Sequence, residues 1–216
     1  MKKETTKHSS FLYPLFIGLA TWYSWVIVMW KIPSLNEVDS LLRAFIRIGA
    51  LLIPALIYSW KAYGSEMWTF LGFRNVKSGF IWGGSFSLFL ILINVLLPMK
   101  LGYTFIIPTT LTIWINHIIG SPFAEEILFR SVVFQELSRK TNVWKSTLIS
   151  SLLFVILHVP KWILLNELGL MMLMKRSAYI FVVGIIFTVL FHKSKSLLGS
   201  LIPHSIHNLI SMSISK

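Results

Sequence analysis

The chain has 216 residues, of which 55% are hydrophobic and 13% are charged, and its mean hydropathy is +0.73. A soluble domain of this length cannot bury so much apolar surface in a core, so lipid must be the main solvent. The sequence contains no cysteine, which excludes disulfides, thiolate metal sites and a cysteine nucleophile. The net charge of +12 does not indicate nucleic-acid binding, because Lys and Arg lie in short stretches between apolar segments.

The apolar segments predict an all-α fold, a polytopic membrane helix bundle that forms a single domain over residues 1–216. About 20 apolar residues in a helix are enough to cross the hydrocarbon core, and about seven segments approach that length. The predicted transmembrane helices cover residues 11–30, 41–60, 79–99, 109–137, 144–159, 177–191 and 196–215. A polar tail precedes the first helix and a turn over residues 31–40 follows it. We expect the fourth helix to kink near Pro122 and the fifth to end at Pro160.

The distribution of basic residues predicts the orientation of the bundle. With the N-terminus in the cytoplasm, about eleven Lys and Arg lie on the cytoplasmic side and about eight outside, in the sense of the positive-inside rule. We therefore expect a multi-pass protein of the cell membrane with a cytoplasmic N-terminus. Arg43 and Arg47 are four residues apart near the start of the second span, and we expect them to snorkel to the outer interface.

Several polar side chains fall inside the predicted spans, where an ionisable group costs about 2.5 to 3.5 kcal/mol on insertion scales. They lie on the fourth, fifth and seventh helices: Glu125, Glu126, Arg130, His158, His204, His207 and Asn208. Any one of them alone is more often a packing group than a catalyst. Their depths nevertheless agree. At about 1.5 Å per residue, Glu125, His158, His204 and Asn208 lie roughly 18, 21, 12 and 18 Å from the cytoplasmic ends of their helices.

The spacing along each helix predicts which of these residues share a face. His204 and Asn208 are four apart and share a helix face. Glu126 and Arg130 are also four apart, so we expect an ion pair between them. Glu125 and Glu126 are about 100° apart on a helix, so we expect them to point in different directions, with Glu125 facing the cavity.

The chemistry of this set favours peptide hydrolysis. A carboxylate beside a neutral imidazole can take a proton from water, which is the part that Glu125 and His158 would play. A second histidine and a carboxamide, His204 and Asn208, could hold the oxyanion that forms when a carbonyl is attacked. We expect His207 to pack or assist beside His204.

Three motifs occur in order on successive polar helices. Glu125-Glu126-Ile127-Leu128-Phe129-Arg130, Phe154-Val155-Ile156-Leu157-His158 and His204-Ser205-Ile206-His207-Asn208 resemble EExxxR, FxxxH and HxxxN of the CAAX-protease and bacteriocin-processing (CPBP, Abi) family of intramembrane proteases. The resemblance covers about residues 111–211. Ser131 departs from the glycine that commonly follows the arginine in the family, but serine is also small enough for close helix packing.

This resemblance implies that Glu125 and His158 activate water, that His204 and Asn208 stabilise the oxyanion, and that Glu126 and Arg130 support them. Members are often called metalloproteases. Glu125, His158 and His204 could hold zinc, but the same groups suffice without a metal, so the sequence assigns no cofactor.

Three functions fit the sequence. The first is an endopeptidase that cleaves a membrane-associated peptide or protein near the cytoplasmic side, with membrane lipids and that substrate as its partners. The second is a non-proteolytic bacteriocin-immunity or scaffold protein, and the third a small transporter that uses Glu125 in a proton relay. Other protease classes are disfavoured, because the sequence has no HExxH or GxSxG motif and Asp39 is its only aspartate.

Overall fold

The structure is a computed structural model that describes residues 10–32, 40–166 and 168–215. The predicted polar tail up to residue 9 and the predicted turn at residues 33–39 lie outside the described residues. The described chain forms seven helices: α1 Leu12–Lys31, α2 Ser40–Tyr63, α3 Val76–Lys100, α4 over residues 111–138, α5 Val143–Leu164, α6 Leu170–Ser194 and α7 Leu198–Ser213. Two short turns, Gly64–Glu66 and Met67–Phe70, follow α2.

The predicted all-α membrane bundle is confirmed. Five of the helices in the described chain are long and apolar enough to cross a membrane: α1, α2 with the turns after it, α3, α5 and α6. The other two, α4 and α7, are the helices that carry most of the polar cluster. Helix α7 has 16 residues, fewer than the roughly 20 that span the hydrocarbon core.

Helix α4 is the central element of the bundle. Every residue from Ile127 to Phe134 is buried, and α1, α2, α5, α6 and α7 all contact this helix. The outer helices instead present large apolar side chains at the surface, such as Phe16, Leu88 and Met171. The side chains of this buried stretch are therefore shielded from lipid, which lets α4 carry charged groups.

Helix α4 contains two stretches of wider π-helical turns, Trp114–Gly120 and Ile127–Phe134, on either side of Ser121–Glu126. The first stretch ends just before Pro122, which has no N–H to donate and whose ring crowds the carbonyl four residues earlier. Wider turns accommodate such a break in the hydrogen-bond ladder, and they are frequent at functional sites. The two glutamates thus lie between two irregular segments.

The prediction that the fifth helix ends at Pro160 is wrong, because α5 continues to Leu164. A proline inside a helix leaves the carbonyl four residues earlier without its usual partner. That carbonyl belongs to Ile156, and it accepts a hydrogen bond from the hydroxyl of Tyr23 on α1. A tertiary contact therefore satisfies the group that Pro160 leaves unpaired.

Basic residues gather at one end of the bundle, here called the basic end. There Lys140, just after α4, lies over the ring of Phe11 at 5.2 Å, and Leu197 N–H donates to Gly72 O at 2.8 Å. The basic end holds Lys61, Arg74, Lys77, Arg139, Lys140, Lys145, Lys193 and Lys195. At the opposite end, strand β1 (Thr104–Phe105) pairs antiparallel with β2 (Ile214–Ser215).

Helices α3 and α7 pack closely through a glycine. A Cβ atom at Gly83 would lie 2.6 Å from the carbonyl oxygen of Leu198, so no larger residue fits without a shift of the backbone. This contact fixes the start of α7, and α7 carries His204 into the bundle.

Candidate active site

The centre of the site is a buried imidazole held by a carboxylate of another helix. Nδ1 of His204 on α7 lies 2.8 Å from Oε1 of Glu126 on α4, and both side chains are almost fully buried. Since an ionised carboxylate can only accept, Nδ1 carries a hydrogen and donates it. Oε2 of Glu126 lies 3.3 Å from Nε of Arg130, so the ion pair predicted from the spacing is present.

Glu125 lies on the other side of the same imidazole. Its Oε2 is 3.8 Å from Nε2 of His204, while its Oε1 accepts a hydrogen bond of 2.6 Å from Nη2 of Arg47. The expectation that Arg47 snorkels to the interface is therefore wrong. Its side chain is 14% exposed and reaches inward, because the buried carboxylate provides a stronger interaction than the interface does.

Glu125 and Glu126 are expected to point in different directions, and they reach His204 from two sides of its ring. Both contact His204, one at each ring nitrogen. Both glutamates lie in the regular α-helical segment Ser121–Glu126, where adjacent side chains are about 100° apart. In addition, the imidazole presents its two nitrogens to two sides, so that it fills the space between the carboxylates.

His158 completes the group from α5. Its Nδ1 lies 2.8 Å from the carbonyl oxygen of Phe154, an acceptor only, so Nδ1 carries the hydrogen and Nε2 is left as an acceptor in the neutral ring. Glu125 interacts electrostatically with His158 as well as with His204. The ring of Phe154 packs at 4.9 Å from that of His158 and at 5.9 Å from that of His204.

Arg130 is fully buried and stabilised by rings as well as by Glu126. Its guanidinium carbon lies 4.3 Å from the ring centre of Phe154 and 5.8 Å from that of Phe187. Nη2 donates to the carbonyl oxygen of Gly184 on α6 at 3.4 Å. The aromatic faces replace part of the solvation that the cation loses on burial.

Asn208 lies one turn beyond His204 and makes its own contacts. Its Nδ2 donates to the carbonyl oxygen of His117 at 2.8 Å, and its Oδ1 lies 3.1 Å from Nδ1 of His207. Nε2 of His207 in turn lies 2.6 Å from the hydroxyl of Tyr179. A primary amide has two N–H groups, so the contact with His117 leaves Asn208 a second donor.

The charges of the cluster balance. Glu125 pairs with Arg47 and Glu126 pairs with Arg130, and the histidines can then stay neutral without leaving a net buried charge. Such compensation is required where charges are removed from water. The arrangement therefore pairs each of the two buried carboxylates with an arginine.

A zinc centre needs several His, Asp or Glu side chains that converge on one ion. Within the described ranges, no group of three or more His, Asp and Glu side chains has an arrangement that could hold a metal ion. Oε1 of Glu125 is bonded to a guanidinium, a cation that repels a second one at the same carboxylate. The Glu125, His158 and His204 side chains thus do not fit zinc in this conformation.

Comparison with known families identifies the polar half of the chain. Residues 107–210 match the model of the type II CAAX prenyl endopeptidase Rce1-like family. The resemblance seen in the motifs is thereby confirmed. The Rce1-like match, which contains α4 to α7 up to residue 210, supports an intramembrane endopeptidase that acts on a peptide or protein. Neither the curated proteins nor the solved structures that were compared gave a match to this chain.

Two residues of the site could not be found from the motifs. Arg47 is on α2, outside the matched residues, and Tyr179 is on α6 between two motifs. The sequence offered one sign that Arg47 is functional, its position seven residues into an apolar helix. Its partner, Glu125, could be identified only from the fold.

Proposed function

We propose that the protein is an endopeptidase of the CAAX-protease/Abi type, which hydrolyses a peptide bond of a membrane-associated substrate with water activated by Glu125. The observation that supports this function most strongly is the position of His204 between Glu126 and Glu125, at 2.8 and 3.8 Å. One carboxylate orients the ring, and the other lies where a water molecule and a substrate carbonyl can meet it.

Glu125 is the general base in this mechanism. Arg47 engages Oε1 and fixes the carboxylate, while Oε2 makes no hydrogen bond with any residue of the described chain and can accept a proton from water. His158 assists, since its Nε2 is an acceptor that can orient the same water. The hydroxide equivalent then attacks the carbonyl carbon of the scissile bond.

His204 and Asn208 stabilise the oxyanion. His204 takes up one proton from solvent at Nε2 as the substrate binds and returns it on product release; in between, Nδ1–H donates to Glu126 and Nε2–H donates to the oxyanion. Asn208 contributes its second N–H. Glu125 finally transfers the proton that it took from water to the departing amine, so the carboxylate is regenerated and the protons balance.

The experiment is a comparison of new peptide N-termini in membranes that contain wild-type protein, Glu125→Gln or Glu66→Gln. Glu66 is a matched control, because its carboxylate is exposed and pairs only with exposed Arg74 among the described residues. We expect fragments that depend on Glu125 and persist in Glu66→Gln. If the Glu125→Gln protein is present at normal levels and the set of fragments is the same as in wild type, the result would instead support a non-proteolytic immunity or scaffold protein.

A further inference from the structure

A cavity of about 350 Å³ lies next to Glu125, at the end of the bundle opposite the basic end. It is formed where α1 and α5 end and where α2 and α4 begin. Its lining residues include three cations and four polar or indole groups: Arg43, Arg47, Lys161, Asn116, Asn166, Trp22 and Trp25. This cavity is here called the cationic pocket.

The described residues that line the cationic pocket include no Asp or Glu. Lys161 is close enough to Arg43 and Arg47 to interact with both electrostatically. Arg47 is paired with Glu125, but neither Arg43 nor Lys161 forms an ion pair with a residue in the described parts of the chain. Like charges in a half-buried site repel each other unless an anion joins them.

The wall next to Glu125 is held in place by several contacts. The Arg47 guanidinium carbon lies 5.3 Å from the ring centre of Trp22, and the indole N–H of Trp22 donates to Leu157 O at 3.1 Å. Trp22 is buried. Arg47 is therefore shared between the proposed base and the cationic pocket, and one side chain separates the two.

We propose that the cationic pocket binds an acidic side chain of the peptide substrate within a few residues of the scissile bond. This specificity rests on the proposed endopeptidase function. Arg43 and Lys161 bind the carboxylate through charge-assisted hydrogen bonds, and Arg47 adds to the positive potential. Proximity to Glu125 favours a substrate group over a lipid headgroup, because a ligand of this pocket lies beside the bond to be cut.

The test uses purified protein in nanodiscs of phosphatidylcholine and a library of internally quenched peptides with an apolar segment. Matched peptides carry Glu or Gln at each position in turn, and all have an amidated C-terminus. Affinity is measured by fluorescence anisotropy and cleavage as kcat/KM. We expect the preferred carboxylate to raise both by about tenfold over its neutral counterpart, the size of one charge-assisted hydrogen bond.

Variants assign this preference to the cationic pocket. In Arg43→Gln and Lys161→Gln the ratio between carboxylate and neutral peptides should fall towards one, and Lys161→Glu should favour peptides with Lys at that position. Lys175→Gln is the matched control, because Lys175 is exposed and does not line the pocket. Thermal unfolding shows whether each variant is folded, and the more stable of the two Gln variants decides.

Each outcome separates the two proposals. Cleavage with a ratio of one in wild type, or a ratio that persists in both Gln variants, overturns the carboxylate pocket and leaves the endopeptidase. Binding with the expected ratio but no cleavage overturns the endopeptidase and keeps the pocket as an anion site. If phosphatidylglycerol in the nanodiscs abolishes the ratio by occupying the pocket, its ligand is a lipid headgroup and the substrate proposal fails.

Discussion

Nδ1 of His204 donates to Glu126 at 2.8 Å, and this bond determines which ring nitrogen faces Glu125. A carboxylate behind a functional histidine selects its tautomer and its orientation. Glu126 therefore acts through His204 as a positioning residue, in addition to neutralising Arg130. The double role explains why two adjacent glutamates on one helix are both buried in the described structure.

Arg130 should matter for folding more than for the reaction. It is fully buried and paired with Glu126, and removal of one partner of a buried ion pair costs about 3 to 5 kcal/mol. We expect Arg130→Met to lower the thermal unfolding temperature and the amount of protein in the membrane. Arg74→Met, in which an exposed pair with Glu66 is lost, should cost only about 0 to 1 kcal/mol. Equal stability of the two variants would contradict this assignment.

Glu125→Gln should separate activity from stability. The substitution keeps the shape of the side chain, and the amide oxygen can still accept from Arg47, but an amide cannot take a proton from water. We expect loss of Glu125-dependent cleavage with normal abundance, and an unfolding temperature that falls less than in Arg130→Met, because Arg47 is partly exposed and lines a cavity. If cleavage persisted in Glu125→Gln and disappeared in a folded Glu126→Gln, the roles of the two glutamates would be reversed.

Asn208→Ala tests the proposed oxyanion donor. The loss of one such donor lowers kcat by about 100- to 1,000-fold, and the hydrogen bond to the carbonyl of His117 is lost as well. We therefore expect a folded protein that is slightly less stable and much slower, with a smaller change in KM than in kcat. A variant with unchanged kcat would remove Asn208 from the mechanism.

The topology can be measured without background, because the chain has no cysteine. With a cytoplasmic N-terminus, Ser10→Cys should resist an impermeant thiol reagent on intact cells. Ser215→Cys, which lies in β2 at the opposite end of the bundle, should react with it. This orientation places the cationic pocket on the outer side, so substrate would approach the site from there and not from the cytoplasmic side that the sequence analysis expects. Labelling at residue 10 alone would reverse the orientation and put the pocket on the cytoplasmic side.

The sequence predicted most of the fold and much of the grouping of polar residues. Periodic spacing and depth depend on local helix geometry, which the sequence determines, so the pairing of Glu126 with Arg130 could be predicted. Contacts between distant helices could not. Tyr23 satisfies the carbonyl that Pro160 leaves free, and Arg47 reaches Glu125 across 78 positions. Neither contact has a signature in the local sequence, since each depends on how α1 and α2 pack against the rest.

Purified active protein should contain well under one equivalent of zinc by elemental analysis. A catalytic zinc needs three protein ligands at about 2.0 to 2.2 Å and one open position. Here Glu125 is bonded to a guanidinium through Oε1. Asn208 is a poor zinc ligand but a good oxyanion donor, so its place one turn from His204 favours hydrogen bonding. Zinc would also have to bind beside Arg47, where cation repulsion opposes it.

We expect chelators to leave cleavage unchanged. Stoichiometric zinc, with activity lost on chelation and restored by adding the metal back, would replace this mechanism by a metal-dependent one that uses Glu125, His158 and His204.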